Sequence, residues 1–493
     1  MTRSTCIRST NNVNQAASMR SMSLKRFQKT LLMMLLALIA GQRQAGAYSL
    51  LTHEQLIDLV WKGSIVPLLL SHYPNLTPAQ LDEARAYAYG GCVIQDIGYY
   101  PFGDASFSDL THYVRSGDFV VSLFRNAQNA DELAFAVGAL SHYIGDSVGH
   151  SLATNRAVPL EFPKLRAKYG PVVNYAEGEH QHVQTEFAFD IDEIAHHRLA
   201  PLRFLRHIGL QVPTKQLALA YYQTYGLRED FTSKRGRRFN IRDYRFAVRT
   251  FIPRIAYAVT LLHRRHEPPE PDTPEFAEIA AEAAAINQEN NWDAYRGKAG
   301  FETCVLAGVL FVLPKFGPLK LVAVKGPTTA TEADYLHSVV VSLAILRRVL
   351  NRFTPPSGSA ANGHAAPMPA ALLPILAATS PDMLLRSNDP KHPLPNRDLD
   401  TGHVVQPGGY PLTDSTYALL LHRLAHEPTQ AIPPGIKREI QAYYANLDAP
   451  FATKKDAAKW AQVQADLATL SSMPTSTEPE PYPTYGEETA NDQ

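Results

Sequence analysis

The chain has 493 residues, enough for two domains with substantial cores. Its 47 basic and 47 acidic residues cancel, and setting aside the basic first 47 residues leaves 40 against 47, a formal charge of −7. That balance argues against general adsorption to nucleic acid or to an anionic membrane, while leaving room for a local basic site. No Gly-rich phosphate loop, Walker motif or convincing internal repeat is found.

Residues 1–47 hold seven Lys/Arg and no Asp or Glu. The apolar run from Leu31 to Ala40 is about ten residues long, the length of a signal-peptide core and too short to span a bilayer. Ala45-Gly46-Ala47 has the small-x-small form of a cleavage site. Residues 1–47 are therefore read as a signal peptide, with Met22 as an alternative start, Tyr48 as the mature N-terminus, and the periplasm or the exterior as destination. Only Cys6, Cys92 and Cys304 occur. Cys6 leaves with the leader, and the other two either pair in an oxidising compartment or stay as buried thiols.

Helical periodicity dominates residues 50–265, with helices expected at Glu54 to Trp61, Pro78 to Tyr89, Asp131 to Ser151, Glu179 to His197, Lys215 to Tyr225 and Ile241 to His263. Strand-like alternation is scarce, so the expected fold class is all-α, a multi-helix bundle followed by a mostly helical C-terminal region. Within it, His142-Tyr-Ile-Gly-Asp146-Ser-Val-Gly-His150 stacks three metal-competent side chains at i, i+4 and i+8 along one helix face. Imidazole and carboxylate suit zinc, and the two oxygens of the central carboxylate can serve two ions. His182-Val-Gln-Thr-Glu186 is a second His/carboxylate pair one turn apart. His53, Asp96 and His112 precede them, and a free amine at Tyr48 would form a five-membered chelate with its own carbonyl oxygen beside His53. A lone His or Asp here would be an ordinary capping or paired group; the set has too many ligands for one ion. Asp190, a turn beyond Glu186, is expected to support a ligand rather than to be one.

Tyr99, Tyr100 and Phe102 are better read as core packing than as a pocket wall. Between Arg228 and Arg249 a run of Lys234, Arg235, Arg237, Arg238, Arg242 and Arg245, interleaved with Phe231, Phe239, Tyr244 and Phe246, reads first as a solvated face with aromatic anchors. The other reading is a surface for nucleic acid or phospholipid headgroups. Prolines after His266 mark a boundary, dividing a metal-bearing domain at 48–265 from a helical extension at 266–353. In that extension Cys304 to Pro314 is a short apolar helix or strand, or a face that docks transiently on a bilayer. Residues 354–415 form a Pro/Gly-rich linker or an excursion covering the site, 416–472 a helical region, and 473–493 a disordered tail.

The order N-terminal residue, His53, Asp96, His112, His142-x-x-x-Asp146, a further His and His182-x-x-x-Glu186 resembles zinc-dependent phospholipase C and the related single-strand-specific nucleases. The segment Asp146-Ser-Val-Gly-His150-Ser-Leu departs from both. There the next ligand normally follows by six residues within a Gln-Pro segment; the spacing of four is similar to the N-terminal domain of glycosylphosphatidylinositol-specific phospholipase D. The resemblance implies up to three Zn²⁺ ions. Asp96, His112, His142 and Asp146 would hold one, and His150, His182 and Glu186 the second. Tyr48, His53 and the other oxygen of Asp146 would hold the third. It also implies phosphodiester hydrolysis by a zinc-bound hydroxide, with Asp96 placed to position or deprotonate the water through an oxygen free of metal. The substrate expected first is a phospholipid. The alternatives are an exported nuclease on the same trinuclear scaffold, with nucleic acid as partner, and a non-catalytic metal-stabilised binding protein. The sequence leaves oligomeric state open.

Overall fold

The computed structural model describes residues 49–100, 103–232, 241–263, 271–297, 301–312, 326–353, 394–426, 431–445 and 457–475. The expected signal peptide, Tyr48, Phe102, Lys234, Arg235, Arg237, Arg238, Phe239 and the segments 354–393 and 476–493 lie outside them. Regular structure among the described residues is helical; there is no strand, only two isolated bridges, Arg397 to Val404 and Ile432 to Thr475.

Leu50–Val60 (α1) runs through a π turn at Trp61–Ile65 into Val66–His72. The wide turn lies just before Pro67, which has no N–H for an i→i−4 bond and would crowd a tight turn. The same happens at Ala247–Phe251, ahead of Pro253, so the helix expected from Ile241 to His263 is continuous but opened once. Pro78–Gly91 (α2) starts at a reciprocal cap: Thr77 Oγ1 accepts from Gln80 N, and Gln80 Oε1 accepts from Thr77 N. Ala105–Tyr113 (α3) and Ser116–Arg125 (α4) are not announced by the periodicity. Their joint is Arg115, at φ 50°, a strained value for a side chain with a Cβ. Its guanidinium offsets that strain by pairing with Asp118 and Glu439 at 2.8 Å each.

Ala130–Gly149 (α5) is the axis of the molecule: every residue from Leu133 to Gly149 is buried. Apart from the His142/Asp146 row its sequence is Ala/Val/Leu-rich with no solvent-facing polar face, so neighbours must surround it. They are α2, α4, α1 and the long Thr329–Phe353 helix, numbered α8 below. Contact with α2 is close because glycines face each other there. A Cβ on Gly138 would collide with the Ala88 carbonyl oxygen, and one on Gly91 with that of Phe135. Tyr175–Ala195 (α6) begins one turn earlier than the periodicity indicates, because Asn174 and Glu177 cap each other. Thr214–Tyr225 (α7) ends at Gly226 in the left-handed conformation, as helices commonly do. Thr329–Phe353 (α8) and Pro411–His426 (α9) complete the wall.

The apolar stretch around Cys304 is a helix, Phe301–Val312, packed through Leu306 and Leu310 on the helix Ile252–His263. No helix among the described residues is long and apolar enough to cross a membrane. Cys92 is buried and Cys304 exposed, and no disulfide joins them. The helical region expected at 416–472 contains Pro434–Tyr443 and Ala457–Ser472 among the described residues. Residues 394–410, within the stretch expected as linker or covering excursion, pack against α4, α5 and the turn of helix that follows α5, and α9 begins before the expected boundary at 416.

Candidate metal centre

Successive i+4 positions on a helix drift by about 40° around the axis. His142, Asp146 and His150 therefore fan out from α5 rather than stacking strictly, and this fan serves two groups of side chains. In the first, Asp146 is shared. Its Oδ1 lies 3.2 Å from His53 Nε2 on α1, and its Oδ2 lies 3.1 Å from His142 Nε2 and 3.2 Å from His112 Nε2 on α3. Asp96, on the 3-10 turn Gln95–Gly98, brings Oδ1 to 3.3 Å from His112 Nε2 and 3.9 Å from His142 Nε2. In the second group His182 Nε2 lies 2.9 Å and His150 Nε2 3.7 Å from Glu186 Oε1, with α6 supplying the pair one turn apart. His150 opens the π turn His150–Thr154 at the end of α5. All eight described candidates are buried, none more than 4 % exposed. His180, the other imidazole on that turn, is exposed.

The backbone sets which nitrogen faces the centre. His142 Nδ1 donates to Cys92 O (3.0 Å), His112 Nδ1 to Ser108 O (2.8 Å) and His150 Nδ1 to Leu399 O (2.6 Å). Each bond leaves the Nε2 lone pair pointing inward, the tautomer a metal ligand needs. The close α2–α5 crossing matters here, since Cys92 caps α2 while His142 lies one turn beyond Gly138. Asp190 is no ligand. Its carboxylate accepts from Leu51 N and Thr52 N at 3.0 Å and from the Thr52 hydroxyl at 2.8 Å, so it clamps the first turn of α1 and thereby His53.

Charge in the centre is strongly coupled. Burial pushes the Asp146 carboxyl up, but the charge of His142 and its contacts with His112, His142 and His53 outweigh that and hold it well below the usual range. Burial opposes protonation of His112, yet Asp146 and Asp96 raise it well above an ordinary imidazole. Burial and then His150 keep His182 well below 6.5. Glu186 is pushed up to about 8 by burial, against His150.

These residues fit zinc on their own terms. Asp96 Oδ1, His150 Nε2, both ring nitrogens of His182 and Glu186 Oε1 are buried without a hydrogen bond. Such atoms are costly to leave unpaired, and borderline N and hard O donors are what zinc takes. A second buried cluster, Asp192, His196 and Glu332, is instead filled by Arg198, which lies 3.1 Å from each carboxylate.

Sequence order located every described member of the two groups. It did not find Asp400, whose Oδ1 lies 3.9 Å from His150 Nε2 and which is wholly buried. No local motif marks that residue; its only sequence signal is the Asp398-Leu-Asp400-Thr-Gly402 turn composition. The basic run also changes meaning. Arg249 is buried against Glu54 Oε1 at 2.5 Å and the Gly209 carbonyl at 2.6 Å, so it is a core ion pair rather than part of a surface patch.

An all-helical scaffold enclosing two adjoining His/carboxylate groups defines a multinuclear metal-centre class. Residues 52–228 match the family model described as zinc dependent phospholipase C, and this segment of the chain belongs to that family of zinc-dependent phosphodiesterases. All eight described candidates fall inside it, whereas Tyr48 and Asp400 fall outside. No curated protein and no solved structure matches the chain.

Proposed function

We propose that the protein is an exported phospholipase C-type hydrolase of phospholipids. The observation that carries the reading is the Asp146 carboxylate, buried and divided between His53 on one side and His112 and His142 on the other. Bound zinc supplies two things there: positive charge against the phosphodiester and a lowered pKa for water. The chain supplies the arrangement. His53, His112, His142 and Asp146 hold one side, and His150, His182 and Glu186 hold the other. Asp96 joins the first side through Oδ1, within reach of two of its imidazoles, and an oxygen of it free of metal would orient water or take its proton. In the balanced reaction the water oxygen joins phosphorus, the bond from phosphorus to the glycerol oxygen breaks, and one proton passes to diacylglycerol. Export rests on the leader-like residues 1–47.

The test uses the full chain expressed through a secretory route, with wild type beside His142→Ala and Asp146→Asn. Wild type should carry about two to three zinc ions, release diacylglycerol from phosphatidylcholine vesicles and leave single-stranded DNA intact. Both variants should lose zinc and turnover together. DNA hydrolysis without diacylglycerol would move the substrate to nucleic acid. Retained turnover in either variant would remove this centre from the chemistry, and a zinc-loaded wild type inactive on every phosphodiester would make it a binding protein.

A further inference from the structure

The segment 398–400 ties the two His/carboxylate groups together. Leu399 N donates to His112 O at 3.1 Å, and Leu399 O accepts from His150 Nδ1 at 2.6 Å, so one residue bonds a candidate ligand from each group. Asp400 follows, and its two oxygens are treated differently. Oδ2 accepts from the Tyr113 hydroxyl at 2.9 Å and the Tyr410 hydroxyl at 2.6 Å. Oδ1 is buried with no hydrogen bond and faces His150 Nε2, which also has none. The turn that presents it is fixed on both sides. Asp398 Oδ1 accepts from Thr401 N at 2.8 Å, and Asn155 Nδ2 donates to Asp400 O at 2.8 Å. Gly402 sits at φ 70°, where a Cβ would also stand 2.5 Å from Ser147 O, so only glycine lets the turn rest on α5 beside Asp146.

We propose that Asp400 is a ligand of the ion held by His150, His182 and Glu186, contributed from beyond the family segment; the inference rests on the zinc-centre reading above. Donors each about 2.1 Å from one zinc ion stand at most about 4.2 Å apart. His150, His182 and Glu186 stand within 4.8 Å of one another, with 3.7 Å and 2.9 Å from Glu186 Oε1 to His150 and His182, and Asp400 joins this group through the 3.9 Å from its Oδ1 to His150 Nε2, inside that limit. Charge agrees. Two neutral imidazoles and Glu186 alone would leave a divalent ion with one uncompensated positive charge in a site without exposure, and the Asp400 carboxylate cancels it. The tyrosine hydroxyls hold the oxygen that is not needed, which orients the one that is.

The test is zinc retention of the full-length, zinc-loaded protein against a colorimetric chelator, with wild type beside Asp400→Asn. The Asn amide oxygen can still accept from Tyr113 and Tyr410, so the fold is retained while the charge is lost. The variant should release one class of zinc about 10–100-fold more readily than wild type, with the remainder unchanged. Identical zinc content and chelator resistance would overturn the assignment of Asp400 alone; absence of zinc from wild type would overturn the metal reading as well. Should the variant fail to fold, anomalous diffraction from wild-type crystals decides the matter. Asp400 Oδ1 at about 2.1 Å from an ion supports the proposal, and an ion that Asp400 does not touch overturns it.

Discussion

Gly138→Ala tests how the helix crossing governs the centre, because theory assigns opposite signs to its two effects. In an unobstructed helix the change stabilises by up to about 1 kcal/mol, through propensity and a less flexible unfolded chain. At Gly138 the new Cβ would collide with Ala88 O and lie 2.7 Å from Cys92 N and 2.8 Å from Gly91 Cα. All three neighbours are backbone, so no rotamer change relieves the clash. α2 and α5 would have to part by roughly 1 Å. Overpacking of that kind costs about 1–3 kcal/mol. Drawing Cys92 away also weakens its 3.0 Å bond from His142 Nδ1, worth about 1 kcal/mol. The net expectation is destabilisation by about 2 kcal/mol, or roughly 4–8 °C in Tm for a domain of this size. It should come with zinc retention reduced about tenfold, as His142 turns. Circular dichroism melting of the chelated protein measures the first, and chelator competition the second. Gly63→Ala is the control, since a Cβ there meets nothing within 4 Å. A Gly138→Ala protein as stable as wild type, with zinc held as tightly, would refute the close-crossing argument.

Two further expectations concern buried charge. Arg85 Nη2 lies 2.5 Å from Asp58 Oδ1, and the guanidinium packs over Trp61 at 5.5 Å and Phe204 at 5.2 Å. Arg85→Met keeps the volume but leaves Asp58 a buried charge with only the Tyr89 hydroxyl as partner, so urea unfolding should show a loss of about 3–5 kcal/mol; a loss below 1 would mean that the pair is dispensable. Asp190 is pushed up to about 6 by burial, against the opposing bonds from Ser49, Thr52 and Leu51, from an ordinary value of 3.8. A carboxyl raised on folding stabilises fully below its unfolded pKa and loses that contribution as pH rises through about 6. In the chelated protein, the stability of wild type relative to Asp190→Asn should therefore fall by about 2.4 kcal/mol between pH 4 and 8. A difference independent of pH would show that the Asp190 carboxyl is not raised on folding.

What the sequence determined by itself was periodic and local. A helix fixes which residues share a face, so His142, Asp146 and His150, and then His182 and Glu186, were legible as ligand pairs before any fold was known. Their burial follows from the apolar sequence around them, as in the run from Leu133 to Gly149. Short helices such as Ala105–Tyr113 and Ser116–Arg125 were not legible, because a cap at Asp104 and the ion-paired left-handed Arg115 set their bounds rather than periodicity. Three matters were left to tertiary structure: the division of Asp146 between two sets of imidazoles, the clamp that Asp190 places on α1, and the arrival of Asp400. Each is a contact between elements far apart in the chain, 249 residues apart for His150 and Leu399. Hydrophobic pattern says that such elements must pack, but only the packed geometry selects which polar atoms end up facing each other without solvent.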